Sequence, residues 1–348
     1  MNISAVAKRA RVSTATVSRV INGTAIVSPE TAERVREAIE TLNFYPDSSA
    51  RTLGSGRSGL YGLIISDITN PYFPELVKAF EDIAVEHGQD VLIANTDYDP
   101  KRMELCVIRM LQRKVDGVAI MTSEMDDRLI KKFSHRQIPT VFMDTPKEIR
   151  GVSTVRVDYA AGVKLAMEHL FSLNHRRIAF ISGPAALSSA NVRADAFIRS
   201  VRLHGLKVDP SLMQQGNHRV EGGHAAMLRI LRTGELPTAV FASNDLTAIG
   251  AMGAIHERGI RIPGEISVIG FDDIELSAYT QPALTTMHVP RRELAALAFM
   301  SLLHGRDLFA RLPAVKREHV IKPKLVVRRS TGEAAKSGTI IVAQGIGN

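Results

Sequence analysis

Residues 13 to 22, STATVSRVIN, hold the side chains of this chain best suited to recognition chemistry, and the chemistry they suit is contact with the edges of DNA bases. Arg19 can set two N–H donors on guanine O6 and N7, and Thr14 or Ala15 can touch a thymine methyl; a good bidentate pair discriminates bases by about 1 to 3 kcal/mol. Ser13, Thr14, Ala15 and Thr16 come first, as small hydroxyl and methyl groups, with Ser18, Arg19 and Asn22 one to two turns later. Presenting them takes a helix capped by Ser13 that buries Val17, Val20 and Ile21 and stops at Asn22-Gly23.

The neighbouring elements fit that demand. Asn2 can cap a short helix whose apolar positions, Ile3, Val6, Ala7 and Ala10, recur at three and four residues. Two short helices with a tight bend between them make a helix-turn-helix, whose second helix enters the major groove. Ser28-Pro29 starts a third helix, with Val35, Ile39 and Leu42 on one face and a mixed-sign outer face from Glu30 to Glu40. Residues 1 to 27 contain Lys8, Arg9, Arg11 and Arg19 and no acid. Charge alone fits a solvated face equally well; the architecture is what points to nucleic acid.

Composition sets outer bounds. At 348 residues and 45% apolar content, with a formal charge of +8, the chain is long enough for two or three domains. No run approaches the roughly 18 apolar residues of a membrane span. Lys8, Arg9 and Arg11 stand where an export signal needs an apolar stretch, so no membrane partner and a cytoplasmic location are expected. The single cysteine, Cys106, falls in the helical pattern RMELCVIRML and reads as a buried structural thiol. The sequence has no Walker loop, no G-x-G-x-x-G after a strand, no G-x-S-x-G elbow and no H-E-x-x-H, which argues against an enzyme. GSGRSG precedes the first strand and reads as a linker. His218 and His224 lack a third ligand nearby, so neither a metal nor another cofactor is expected.

From Leu60 short apolar strands alternate with helices. YGLIIS, DVLIAN, DGVAIM and PTVFM form one series, and RRIAFIS, PTAVFAS and ISVIG a second. The pattern predicts an α/β domain with parallel sheets in two similar lobes. Ligands of such sheets bind beyond the carboxyl ends of the strands, where Asp67, Asn70 to Phe73, Ser123, Asp144, Asn244-Asp245 and Asp272-Asp273 cluster. Any one of these reads equally well as a cap or turn former; their shared position is the stronger argument. Tyr72 and Phe73 suit stacking on a sugar face or plain core packing. Crossings between lobes are expected near 146–155, 279–289 and 320–327, and the tail from Thr331 is expected to be mobile.

Asp47 to Leu53, between Pro46 and Gly54, is too short to hold a helix alone in water and should fold only against a partner or DNA. Here the sequence closely resembles the bacterial LacI/GalR family of transcription regulators. The match rests on VAKRARVSTATVSRVINGT, the helix from Ser28, LNFYPDSSARTL, and then ISDITNPYF, VDGVAIM, RRIAFISGP, PTAVFASNDLTAIGAM, ISVIGFDDI and QPALTTMHVP, in family order. The resemblance implies an N-terminal all-α helix-turn-helix headpiece (1–46) and a hinge helix with linker (47–59). After these it implies a two-lobed periplasmic-binding-protein-like effector and dimerisation domain (60–330, lobes about 60–150 and 151–280), then a flexible tail (331–348). It further implies a homodimer on pseudo-palindromic operator DNA, acting as a repressor under control of a small-molecule effector, a sugar or related metabolite. Hinge residues Ser49 and Ala50 would join the DNA contact, and Leu53 matches the leucine that wedges into a base step and kinks the duplex.

In the cleft the resemblance assigns Tyr72, Phe73, Ser123, Asp144, Asp158, Arg193, His218, Asn244 and Asp272. Arg193 opposite Asp272 could grip vicinal hydroxyls or an anionic group; the plainer reading of that arginine is a surface ion pair. Purine-binding members carry arginine where this chain has Leu187, which argues against a purine corepressor. A transport protein of the periplasmic type would predict an export signal and no headpiece, and a sugar-modifying enzyme would need a catalytic constellation in the cleft.

Overall fold

The computed structural model describes residues 2–23, 26–45, 56–122, 125–143, 152–309 and 318–335. The chain divides into two compact units, Met1–Ser58 and Gly59–Asn348.

The first unit is three helices, α1 (Ile3–Ala10), α2 (Thr14–Asn22) and α3 (Pro29–Thr41). Each starts where a side-chain oxygen accepts a backbone N–H: Asn2 Oδ1 from Ala5, Ser13 Oγ from Thr16 and Ser28 Oγ from Thr31. The α1–α2 bend places Arg11 in the left-handed region at φ 55°, and Gly23 at φ 60° closes α2. Val6, Ala7, Ala10, Val17, Val35 and Ala38 are buried together, so the three helices share one small core.

The second unit begins with β1 (Leu60–Ile65), α4 (Tyr72–Glu86), β2 (Asp90–Asn95), α5 (Pro100–Gln112), β3 (Gly117–Met121), α6 (Asp127–Ser134), β4 (Thr140–Met143) and β5 (Ser153–Val157). It continues through α7 (Tyr159–Ser172), β6 (Ile178–Ser182), α8 (Ser188–Leu203), β7 (Met213–Gln215), α9 (Val220–Ile230), β8 (Ala239–Ala242), α10 (Asp245–Glu257) and β9 (Ser267–Ile269). The last elements are β10 (Thr286–His288), α11 (Arg291–Phe309), β11 (Glu318–Ile321) and β12 (Lys324–Val326). Two parallel sheets result, ordered β11-β5-β4-β3-β1-β2 and β7-β6-β8-β9, with β10 and β12 as a separate antiparallel pair. Strands covered by helices on both faces carry continuous apolar runs, as Gly117–Met121 and Ala239–Ala242 do, buried throughout.

Sheet membership moves the expected lobe boundary. Ser153–Val157, expected within the first crossing, is a strand of the first sheet, so the chain crosses just after it. It returns between β10 and α11, and crosses again between β11, paired with β5, and β12, paired with β10. The tail expectation also needs correction at its start. Ala334 N–H donates to Leu173 O, Gly332 N–H to Ser267 Oγ, and His169 Nε2 bonds Thr331 Oγ1, so 331–335 are held on the second lobe. The remainder, 336–348, lies outside the described residues.

His175, buried at that contact, bonds Gly332 O through Nε2 and Thr238 Oγ1 through Nδ1. Burial pulls its pKa down to about 4 against the opposing pull of the Gly332 carbonyl, so the ring is neutral at pH 7 with Nε2 as the donor to that carbonyl. Cys106 is buried, and burial raises its thiol pKa.

Candidate functional site

On α2 the side chains of Ser13, Thr14, Ala15 and Arg19 are exposed, whereas Thr16 and Ser18 are half-buried. Thr16 Oγ1 sits 2.9 Å from Ser13 Oγ, so these two hydroxyls hold the helix start together before they meet any partner. Arg19 has no ion-pair partner among the described residues. The outer face of α3 is different: Arg36 pairs with Glu33 at 2.7 Å and Arg34 with Glu30 at 3.8 Å, so its cations are already answered by acids. The side chain of Asn22 and the hinge residues Ser49, Ala50 and Leu53 lie outside the described residues.

In the second unit, a cleft with a cavity volume of about 60 Å³ opens where the two sheets' strand ends face one another. Every strand from β1 to β9 supplies a lining group at or just past its carboxyl end: Ser66 and Asn70 after β1, Tyr98 after β2, Met121 on β3 with Thr122 after it, Met143 on β4 and Tyr159 after β5. The second lobe adds Leu187, Ser189 and Arg193 after β6, His218 after β7, Asn244 after β8 and Asp272 after β9. Tyr72 and Phe73, at the start of α4, are buried edge-to-face at 5.6 Å and complete the first wall.

Arg193 is 5% exposed, which rules out the plain reading of a surface ion pair. Its guanidinium lies 4.4 Å from the centre of the Tyr159 ring and 5.2 Å from that of Phe271. Nε donates to Ser189 O and Nη1 to Ser243 O, so two carbonyls and two ring faces fix the plane of the fork. Nη2 has no hydrogen-bond partner among the described residues.

His218, with φ 62°, is buried against Ser243 Oγ at 3.0 Å. Burial, reinforced by the charge of Arg193, pulls its pKa down to about 3, so at neutral pH it offers one donor and one acceptor, not a cation. The ring fits only because residue 183 is glycine: a Cβ there would stand 2.0 Å from His218 Nε2. Asn244 accepts from Thr247 N–H as the cap of α10 and donates to His218 O. It lines the cleft while its amide positions the histidine.

Asp158 stands beside the cleft and not in its wall. Its carboxylate caps α7 by accepting from Ala161 N–H, and the adjacent Tyr159 is the lining group. Asp245 turns inward and accepts from Ser277 Oγ at 2.6 Å, Ile274 N at 2.9 Å and the Thr286 hydroxyl, which anchors the loop bearing Asp272. Those donors favour the carboxylate, yet burial outweighs them and raises its pKa to about 6. Ser123 and Asp144 lie outside the described residues.

Side-chain ties join the lobes, and Glu275 N–H also donates to Glu75 Oε1 at 3.1 Å. Arg291, at a crossing, pairs with Glu75 of α4 at 2.7 Å and donates to the carbonyls of Asp272 and Asp273. Away from the crossings, Arg219 Nη2 reaches Asp67 Oδ2 at 2.9 Å and Asp97 Oδ1 at 3.7 Å. Sequence reasoning had Asp67 as a candidate without its partner. The cue for Arg219 is its position immediately after His218.

The buried histidines make stability depend on pH. Their folded pKa values, about 3 for His218 and about 4 for His175, lie below the unfolded 6.5, so the stability they confer is complete above 6.5 and is lost as pH falls through that window. Asp245, raised from 3.8 to about 6, works oppositely and returns part of the loss. Denaturant titration of the second unit at about pH 5 and about pH 7 should show a net loss of roughly 2 kcal/mol at the lower pH, and equal stability at both would contradict the neutral, buried assignment.

A helix-turn-helix unit followed in one chain by a two-lobed sheet domain with a polar, aromatic-walled cleft defines the class of ligand-controlled DNA-binding regulators. Residues 2–47 match the model for bacterial regulatory proteins of the lacI family, and residues 167–331 match that for periplasmic binding protein-like domains. The chain is 34% identical over 329 residues to the HTH-type transcriptional repressor PurR of Pasteurella multocida, covering 94% of this chain and 98% of that one. It is 36% identical over 333 residues to the PurR repressor of Edwardsiella ictaluri, covering 95% and 97%. Among solved structures it resembles the lac repressor dimer bound to operator and the anti-inducer ONPF, with a TM-score of 0.85, 29% identity and coverage of 95% and 99%. It also resembles a LacI family regulator from Enterococcus faecium with bound ribose, with a TM-score of 0.72, 28% identity and coverage of 79% and 100%. The chain belongs to the lacI family: it is a DNA-binding transcriptional regulator whose hold on DNA is controlled by a small-molecule effector.

Proposed function

We propose that residues 1–46 read the operator, 47–59 form the hinge, and 60–330 hold the effector and the dimer contact. The regulator works as a homodimer on a pseudo-palindromic site, in the cytoplasm, without catalysing a reaction. Association through the first lobe is supported by the edge strand β2 and the exposed Ile68, Val85, Ile93 and Leu105 around it.

The effector is a sugar or sugar-like metabolite held in the cleft. The observation that carries this reading is Arg193, fixed in plane between two carbonyls and two rings with one edge of the fork left for a ligand. Asp272, neutral His218 and Asn70 add hydrogen-bonding groups, and Tyr72 and Phe73 offer apolar faces to the ring of a sugar. A purine is the second reading, favoured by the PurR relatives. Against it stands Leu187, an apolar, 7% exposed wall residue that offers no donor to a base. A thermal-shift screen of sugars, sugar phosphates and nucleobases separates the two, since stabilisation by nucleobases alone would reject the sugar reading. Reciprocity then gives the sign: an effector that strengthens DNA binding must itself bind more tightly when operator is present, and an inducer less tightly.

On the DNA side, Arg19→Ala should lose about 1 to 3 kcal/mol of discrimination at one symmetric base pair per half-site. A binding-site selection with wild-type and variant chains measures this, and identical base preferences would remove Arg19 from its assigned role.

A further inference from the structure

A second cavity lies in the second lobe, at the opposite strand ends from the cleft. It has a volume of about 280 Å³ and is walled by Ile178 at the start of β6, Phe197 and Val201 of α8, and Leu206, Val208 and Leu212 of the segment leading to β7. Phe197 stacks on Phe180 at 4.8 Å, so this wall is braced by the core behind it. Six apolar side chains form its floor, and Arg176, Arg177, Lys207, Asp209 and Glu235 bring polar surface to its rim.

The charges lie at the rim and do not balance. Arg177 is fully engaged: Nη1 pairs with Asp209 at 2.9 Å, while Nη2 and Nε donate to Glu235 O at 2.9 and 3.2 Å. Asp209 also accepts from Ser211, whose hydroxyl is the main cause that lowers its pKa. Glu235 Oε2 also lies 3.8 Å from Arg177 Nε, so one guanidinium faces two carboxylates, and the rim as a whole carries one net positive charge. Arg176 uses only Nη1, on Phe171 O and His175 O, and neither it nor Lys207 has an acidic partner among the described residues.

We infer that this cavity binds a small amphiphilic anion, its apolar body against Phe197, Val201 and Leu206 and its carboxylate on Lys207 and Arg176. A sugar would find no polar partners on the floor, and an uncharged hydrocarbon would leave the two cations unanswered. The site is separate from the effector cleft, yet both touch α8: Arg193 and Phe197 are four residues apart on one face of that helix.

The test titrates 4-phenylbutyrate into the full-length chain, followed by calorimetry and by melting temperature, with 4-phenylbutan-1-ol as the uncharged control. Saturable one-to-one binding is expected, weakened about three- to fivefold by Lys207→Gln, by Arg176→Gln and by the alcohol, the scale of a partly exposed ion pair. Val208→Trp, which fills the cavity, should remove binding. The two rim variants change exposed residues, so they test the site even where the filling variant does not fold. Absence of saturable binding, equal affinity for acid and alcohol, or full binding in Val208→Trp would each overturn the inference.

Discussion

Gly183→Ala is expected to weaken effector binding strongly while leaving the DNA-reading helices intact. The added methyl would stand 2.0 Å from His218 Nε2, so the imidazole must leave its place and its bond to Ser243 Oγ. His218 is held from the other side by the Asn244 amide on its carbonyl, so its backbone has little room to yield. Overpacking of this kind costs about 1 to 3 kcal/mol. Taken from ligand binding, that is roughly ten- to hundredfold in affinity, at 1.4 kcal/mol per decade. The double variant Gly183→Ala, His218→Ala separates the causes: with the ring gone, the melting temperature should recover but effector affinity should not. Calorimetric titration of the single variant giving wild-type affinity would show that His218 tolerates displacement and is no part of the ligand's wall.

The second large effect is expected at Arg219. Asp67 is 3% exposed, and its Oδ1 already accepts from Thr69 N–H and Oγ1, so Arg219 supplies the partner for Oδ2. Arg219→Ala leaves that oxygen facing the cleft mouth without its cation. A buried carboxylate that loses its partner destabilises the state in which it stays buried. Since Arg219 itself is partly exposed, the penalty should be about 1 to 2 kcal/mol on the closed arrangement of the lobes. Effector affinity should fall about tenfold, because part of the binding energy is then spent on closing the lobes. Small-angle scattering should show a more open second unit. Asp67→Asn retains the acceptor for Thr69 and removes the charge, so in the Arg219→Ala background it should recover much of the loss. An affinity unchanged by Arg219→Ala would mean that Glu75 and Arg291 hold the lobes without help.

The local signals that survived into the structure are those that depend on few neighbours. Asn2, Ser13 and Ser28 cap where their types and the following apolar spacing place them, because an N-cap is a contact over two or three residues. The cleft's position was also legible, since strand ends in a parallel sheet fix where side chains of both lobes converge. What failed depends on tertiary partners. Ser153–Val157 alternates like an ordinary edge and is instead an inner strand of the first sheet, paired with β4 on one side and with β11, more than 150 residues later, on the other. The alternation of strands and helices does not mark α11, which packs on α4 and closes the first lobe. Thr331–Ala335 shows no periodicity because single hydrogen bonds to Ser267, His169 and Leu173 hold it, not an apolar stripe. Asp158 and Asp272 look alike in sequence, and only the fold sends one carboxylate to a helix end and the other to the cleft.

The threefold crossing between lobes also orders events on the ribosome. The three-helix unit is complete in sequence by residue 45, whereas the first lobe lacks its last strand until residue 321 and the second its bound tail until residue 335. At synthesis rates of about 5 to 20 residues per second, the gap of roughly 290 residues lasts on the order of 15 to 60 s. During that interval the nascent chain carries a finished DNA reader with no finished sensor, so products of interrupted translation would be deaf to the effector.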